Sequence, residues 1–349
     1  VIFYKSGEAS LKASASSTAP VVTNTDEEQA AIEKAKSEFE YNNVIAWDDD
    51  WTVYEDKIYE YNEDTLNFVL MGIDKSGELS TTENYKYSKV GQADSIFLVS
   101  LNQKDKKVSI IGIPRNSMVE VEVFNSDKQV IETMYDALCL QYPYAGGGAE
   151  GLTQMKESVS ELFYDLPIHG ACAISFDAIE KIVDMIGGVE VTVPDDMTAV
   201  NASYTKGSTV TLTKKNVLEY LRYRDSSTLG SPTVRLTRQK DFMQSAINVA
   251  IKKVKENPAI VSDIYQAIMP YMNTDITLDK AVYLAKQAIG YSISSDSFYQ
   301  LSGEDKKNYF DTTPGAEKYY DEYYLDEDYL KEVFMKVFYT QVVVEKTEQ

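Results

Sequence analysis

The chain has 349 residues, enough for two average domains or one large α/β domain with a sizeable core. Lysine and arginine number 34 against 55 acidic residues, and the net charge of −21 argues against a protein that embraces nucleic acid through a broad basic surface. Hydrophobic residues at 44%, a mean hydropathy of −0.32 and no apolar run near the ~20 residues of a membrane span describe a globular chain with no spanning segment.

The first residue is Val, which suggests a fragment or a processed chain, with Val1-Ile2-Phe3-Tyr4 as the last turn of a removed membrane anchor or signal segment. Residues 1–24 are rich in Ser, Ala and Thr and read as a flexible extracellular stalk, because so little apolar surface cannot offset the entropy of ordering. Residues 25–65 read as an accessory unit: a helix capped by Thr25 or Asp26 and running to about Glu40, then a hairpin from Trp51 to Tyr61. The core is expected from residue 66 to about 340. Leu66 to Ile73 is a near-continuous apolar run ending at Asp74, as in a strand buried on both faces. Ser95–Leu101 and Lys107–Ile113 are two further strands joined by a polar turn, and Pro114 ends the second.

A helix is expected around Ile131–Leu140, then the Gly146-Gly147-Gly148 loop and a helix over Gly151–Tyr164. Strand Ala171–Phe176, helix Asp177–Met185, the Gly187-Gly188 turn and strand Val189–Val193 continue an alternation that is α/β. Further helices are expected over Lys214–Tyr223, Val234–Glu256, Pro258–Met272, Leu278–Ile289 and Asp326–Tyr339. The tyrosines 319, 320, 323, 324 and 329 read as an amphipathic surface, with glycan stacking a lesser alternative.

Arginine use is the most informative count. Of the 34 basic residues five are arginines and 29 lysines, and Arg222, Arg224, Arg235 and Arg238 fall within 17 residues, with Arg115 the only other. On a helix Arg235 and Arg238 lie on one face with Gln239 adjacent. Guanidinium groups hold phosphate oxygens two at a time, so the cluster suggests a poly-anionic ligand such as a pyrophosphate. Asp74 and Asp94 stand at strand ends, where two converging carboxylates suit Mg²⁺ shared with substrate phosphates; either alone also suits a turn or cap. The single histidine, His169, lacks a nucleophile motif and reads as structural. Gly146–Gly148 lacks the ending of a phosphate-binding P-loop. Cys139 and Cys172 leave one disulfide or two buried thiols equally open.

These residues together resemble the LytR-CpsA-Psr (LCP) family. The matching elements are Gly72-Ile73-Asp74, Asp94-Ser95, Ile113-Pro114-Arg115, Gly187-Gly188-Val189-Glu190-Val191, Arg222-Tyr223-Arg224-Asp225 and Arg235-Leu236-Thr237-Arg238-Gln239. Thr274–Leu278 and Pro314-Gly315 extend the likeness towards residue 340. The resemblance implies an αβα fold, with a central mixed β-sheet flanked by helices and an apolar channel for a polyprenyl chain. It also implies a membrane-anchored, extracytoplasmic phosphotransferase of Gram-positive cell walls, moving a glycopolymer from an undecaprenyl-pyrophosphate carrier to peptidoglycan through a phosphodiester. By the same resemblance Asp74 and Asp94 would hold Mg²⁺ (or Mn²⁺), and Arg115, Arg222, Arg224, Arg235, Arg238 and Gln239 would grip the pyrophosphate. Asp94, Arg115, Arg222 and Arg224 would be catalytic, Asp94 also being a candidate for removing the hydroxyl proton. The chain departs from the family pattern at Gln92-Ala93-Asp94, where an Arg is usual two residues before the Asp, and at Asn116, where an Asp is usual. Leu229–Val234 replaces a Gly-rich turn. These departures keep two alternatives open: a non-catalytic binder of polyprenyl phosphate or wall glycan, and a polyprenyl-pyrophosphate hydrolase.

Overall fold

The computed structural model describes residues 2–14, 19–20, 22, 25–42, 46–79, 87–223, 231–291, 293–313 and 318–343. Helices α1 (Ile2–Ser14) and α2 (Asp26–Asn42) lead into the hairpin β1 (Trp51–Tyr54) and β2 (Lys57–Tyr61). Next come β3 (Thr65–Ile73), α3 (Tyr87–Val90), β4 (Ala93–Asn102), β5 (Lys107–Ile113) and a second hairpin, β6 (Met118–Phe124) and β7 (Val130–Ala137). The middle of the chain holds α4 (Gln141–Tyr144), α5 (Gly148–Leu162), β8 (Gly170–Ile174), α6 (Phe176–Ile186), β9 (Val189–Thr192) and β10 (Thr209–Leu212). It continues with α7 (Val217–Arg222), α8 (Ser231–Glu256), α9 (Ile260–Ile268), β11 (Met272–Thr274), α10 (Leu278–Ala288) and β12 (Phe298–Gln300). A third hairpin, β13 (Gly303–Asp311) and β14 (Lys318–Leu325), precedes α11 (Glu327–Phe338) and β15 (Tyr339–Gln341).

The central sheet is mixed, in the order β11-β8-β3-β4-β5-β12, with β3 parallel to β8 and antiparallel to β4, and β12 parallel to β5. Side chains alternate across a strand, so each strand feeds two layers. Val69, Met71 and Ile73 of β3, Ile96 and Leu98 of β4, and Ala171 and Ala173 of β8 enter one core with α5 and α11, through Met155, Val159, Phe334 and Phe338. The intervening residues Leu70, Gly72, Ser95, Phe97, Cys172 and Ile174 face the opposite layer, towards α6, α7 and α8. The fold is therefore αβα, as expected.

The accessory unit closes on the C-terminus. Thr25 and Glu28 cap α2 reciprocally, the Thr25 N–H donating to Glu28 Oε2 (2.9 Å) and the Glu28 N–H to Thr25 Oγ1 (3.2 Å). Strand β2 then pairs with β15, so residues 57–61 belong to a three-stranded sheet with β1 and β15.

Two expectations are corrected. Within the segment read as a flexible stalk, α1 lies along α10: Leu11 is buried, the Tyr4 and Tyr283 rings are 5.1 Å apart, and the Ser6 hydroxyl donates to Asp279 (2.6 Å). Gly7 permits that approach, because a Cβ there would stand 2.2 Å from the Asp279 carbonyl oxygen. The helix expected around Ile131–Leu140 is strand β7, paired antiparallel with β6. Val130, Ile131 and Tyr135 of β7 are exposed, so its spacing carried no core-facing period, and the strand is held by the ladder to β6, whose Val119, Val121 and Val123 are buried.

Candidate functional site at the mouth of an apolar cavity

Strands β3 and β4 run antiparallel to a register break between Gly72 and Ile73: Gly72 pairs with Ser95 and Ile73 with Ala93, leaving Asp94 as the extra residue of a bulge. A bulge re-aims the side chain it inserts. Here it turns the Asp94 carboxylate to two arginines from distant elements. Arg115, two residues past the end of β5, donates through Nη1 to Asp94 Oδ1, and its Nε–H donates to Asn116 Oδ1 (3.1 Å). Arg235, in the first turns of α8, donates through Nη1 to Asp94 Oδ2 (2.9 Å) and through Nη2 to the Asp94 carbonyl oxygen (3.2 Å). Arg235 is 4% exposed, so the ion pair is largely desolvated. Among the described residues two guanidiniums thus converge on this one carboxylate.

Asp94 and Arg235 of that cluster line a cavity of about 360 Å³ between the sheet and α6, α7, α8 and α9, and Arg115 stands beside it. Its wall is apolar: Phe97, Cys172 and Ile174 from the sheet, Ile179, Ile182 and Ile186 from α6, and Phe242, Ala246 and Ala250 from α8. The polar and charged residues on it are Asp94, Ser95, Arg222, Arg235 and Gln239. Arg222, at the end of α7, is exposed and lies over the Phe176 ring, its guanidinium carbon 4.4 Å from the ring centroid. No carboxylate pairs with it among the described residues. Asp94, Arg235 and Gln239 also line a second, much smaller recess with Arg115, Asn116, Asp305 and Tyr323.

The sequence-predicted residues therefore divide. Arg115, Arg222, Arg235, Gln239 and Asp94 meet at or beside the cavity mouth. Arg238 does not: at 1% exposure it lies over the Tyr220 and Tyr223 rings, and its Nη1 donates to the carbonyl oxygens of Tyr220 (2.9 Å) and Tyr223 (3.1 Å). Its Nε is 3.6 Å from Asp195 Oδ1. Arg238 thus caps the last carbonyls of α7, and its assignment to a pyrophosphate is corrected to this framing role. Arg224, Asp225, the Leu229–Gly230 part of the altered turn and Pro314-Gly315 lie outside the described residues.

Asp74 is exposed at the end of β3, where its N–H donates to the Gln92 carbonyl (2.8 Å), one strand away from Asp94. No group of three metal-ligating side chains occurs among the described residues. Asp74 and Asp94 stand at adjoining strand ends, and Mg²⁺ asks for one or two carboxylates, water and substrate phosphate completing its shell. The two carboxylates do not fit a metal held by protein ligands alone.

Both cysteines are free thiols. Burial pushes the Cys139 thiol up to about 11 and Cys172 to about 12, so neither is a nucleophile at neutral pH. His169 is structural, as expected: burial holds it near 4, and its neutral Nδ1 accepts the Asn67 N–H (3.0 Å). The sequence reasoning missed the cavity wall on α8, although Phe242, Met243, Ala246, Ile247 and Ala250 carry the three-and-four spacing of one helix face.

A model of the LytR_cpsA_psr family matches residues 18–331. A Bacillus mycoides protein named polyisoprenyl-teichoic acid–peptidoglycan teichoic acid transferase TagU is 28% identical over 224 residues, 63% of this chain and 64% of that protein. A protein of the same name from Oceanobacillus iheyensis is 24% identical over 219 residues, 62% of this chain and 61% of the other. The chain thus spans just under two thirds of these curated relatives. Among solved structures, Bacillus subtilis TagT superposes with a TM-score of 0.55 at 20% identity, covering 85% of this chain and 94% of that one. Protein gbs0355 from Streptococcus agalactiae gives 0.59 at 21% identity, covering 78% and 86%. These two likenesses are of fold.

Proposed function

The chain belongs to the LytR_cpsA_psr family, and from that premise we propose that it is a transferase joining a polyprenyl-pyrophosphate-linked glycopolymer to peptidoglycan at the outer face of a membrane. The observation that carries the reading is the juxtaposition of an apolar cavity with a fixed cationic mouth, which matches a carrier with a hydrocarbon tail and a diphosphate head. The names of the relatives, which pair a polyisoprenyl-linked teichoic acid with peptidoglycan, supply the donor and acceptor classes.

In this reading the tail lies among Ile179, Ile182, Phe242 and Ala246, and the diphosphate meets Arg222, Arg235, Gln239 and Arg115. An acceptor hydroxyl oxygen bonds to the phosphorus that carries the glycan and gives up its proton to water, while the phosphoanhydride bond breaks and polyprenyl phosphate leaves with that bond's electron pair. Phosphoryl transfer asks mainly for positioning and charge stabilisation, which arginines held by Asp94 supply without reorganisation. Asp94 accepts a hydrogen bond from each of the two guanidiniums and so orients them. By the family resemblance Asp74 and Asp94 would hold Mg²⁺, which would supply neutralisation of charge on the phosphate oxygens.

The test combines the protein, a polyprenyl-pyrophosphate-linked glycopolymer, a peptidoglycan oligomer and Mg²⁺, with an active relative as control. Coupled product and released polyprenyl phosphate are expected, both falling on chelation and in Asp74→Ala. Free glycopolymer phosphate without coupling would instead identify a hydrolase, and bound but unchanged lipid a binding protein.

A further inference from the structure

The tyrosine-rich β13–β14 hairpin plays no part in the lipid site, yet its base is built into the same cluster. The Tyr323 N–H donates to the Asn116 carbonyl (2.9 Å), and Tyr323 and Asp305 wall the small recess together with Arg115, Asn116 and Asp94. The ladder register places Asp305 opposite Tyr323, Lys307 opposite Asp321 and Tyr309 opposite Tyr319. Two-residue alternation puts all six on one face. That face begins at a pair of exposed rings 5.4 Å apart, Tyr309 (48% exposed) and Tyr319 (40%). It continues with the Lys307 ammonium 4.0 Å from the Tyr319 centroid and ends, about 13 Å along β14, at the recess beside Arg115.

We infer that this face of the hairpin is the acceptor track, on which the carbohydrate strand of peptidoglycan lies so that its hydroxyl reaches the Arg115–Asp94–Arg235 cluster from the recess rather than from the apolar cavity. The inference rests on the transferase reading for the identity of the acceptor. Its own support is chemical and positional. Exposed tyrosine rings offer flat apolar faces to the C–H faces of sugar rings while their hydroxyls stay wet. Asp305, Asp321 and Lys307 offer acceptors and donors to sugar hydroxyls and amides at alternate steps of the same face. The recess and the cavity share Asp94, Arg235 and Gln239 as a common wall, so a ligand on the track and a lipid in the cavity meet at those residues from different directions. Asp305 stands at the inner end, its carboxyl raised above the ordinary range by burial and by Asp321.

The experiment measures co-sedimentation of the full chain with purified peptidoglycan sacculi and, separately, binding of polyprenyl phosphate and the coupling reaction. The variants are Tyr309→Ala/Tyr319→Ala and Tyr309→Phe/Tyr319→Phe, both at exposed positions. The alanine pair is expected to weaken sacculus binding about tenfold and to lower coupling through the acceptor KM, while lipid binding stays unchanged. The phenylalanine pair, which keeps the rings, should bind sacculi nearly as the parent does. Unchanged sacculus binding by a folded alanine pair overturns the inference. So does a conversion from dimer to monomer in that variant without loss of sacculus binding, which would assign the rings to a second copy of the chain. Ring-dependent sacculus binding by a parent chain that couples nothing would leave the track standing and remove the transferase reading instead.

Discussion

Arg235 and Arg238 are one helical turn apart on α8, yet they serve two different regions. At the cavity mouth Arg235 reaches across to the bulge in β4 and holds Asp94. At the junction of α7 and α8 Arg238 turns to the carbonyls of Tyr220 and Tyr223 and to Asp195. Both are buried arginines with a carboxylate close by. What separates them is what lies beyond the guanidinium: an open cavity for one, the packed end of a helix for the other. Burial and charge alone therefore do not tell an arginine that lines an open cavity from one that frames a helix end.

The comparison breaks or sharpens by substitution. Arg235→Met is expected to lower the coupling rate about 10²–10³-fold, the usual cost of removing a preorganised donor from a developing phosphate charge, as measured by initial rates of coupled product. Arg238→Met should instead cost about 3 kcal/mol of stability in denaturant titration, by orphaning the carbonyls at the end of α7 and Asp195, and should leave the rate per folded molecule within about threefold. Equal activity losses in both variants with no stability loss in the second would dissolve the distinction.

His169 extends the framing side of the comparison to pH. Its folded value, near 4, lies below the ordinary value of 6.5, so between those pH values the unfolded chain binds more protons than the folded one. The stability it supports is present above pH 6.5 and falls as the pH drops towards 4, by about 2.5 kcal/mol at pH 4.5. His169→Asn keeps an acceptor for the Asn67 N–H but cannot titrate, so its stability should fall less than the parent's between pH 7 and 4.5. The smallest effect is expected at the cavity wall. Ala246→Phe should weaken polyprenyl phosphate binding about tenfold in a fluorescence titration while the melting temperature holds or rises, because the ring fills space that the tail would take.

Much of the central sheet was legible because β3, β4 and β5 carry apolar runs ended by Asp74, a polar turn and Pro114. The helices α5, α6, α8 and α11 were legible from their periods. The β1–β2 hairpin was legible too, but β6–β7 and β13–β14 were not. β7 exposes most of its side chains and β13 nearly all, so neither shows the alternation that burial on one face imposes. The order of α1 escaped composition because its partner, α10, lies at the other end of the sequence. In the site, clustering and residue type found Arg115, Arg222, Arg235 and Asp94. They could not distinguish Arg238, since which neighbour an arginine meets depends on where α7 ends relative to α8.

One topological feature has a temporal side. The outer edge of β5, with Ile110 and Ile111 at its centre, is covered by β12, whose residues 298–300 are made long after β5 itself. Until then a hydrophobic ladder edge next to Arg115 stands open, and such edges recruit other chains. Truncation before β12 should therefore yield aggregates rather than a smaller folded core, and β12 acts as a seal on elements made long before it.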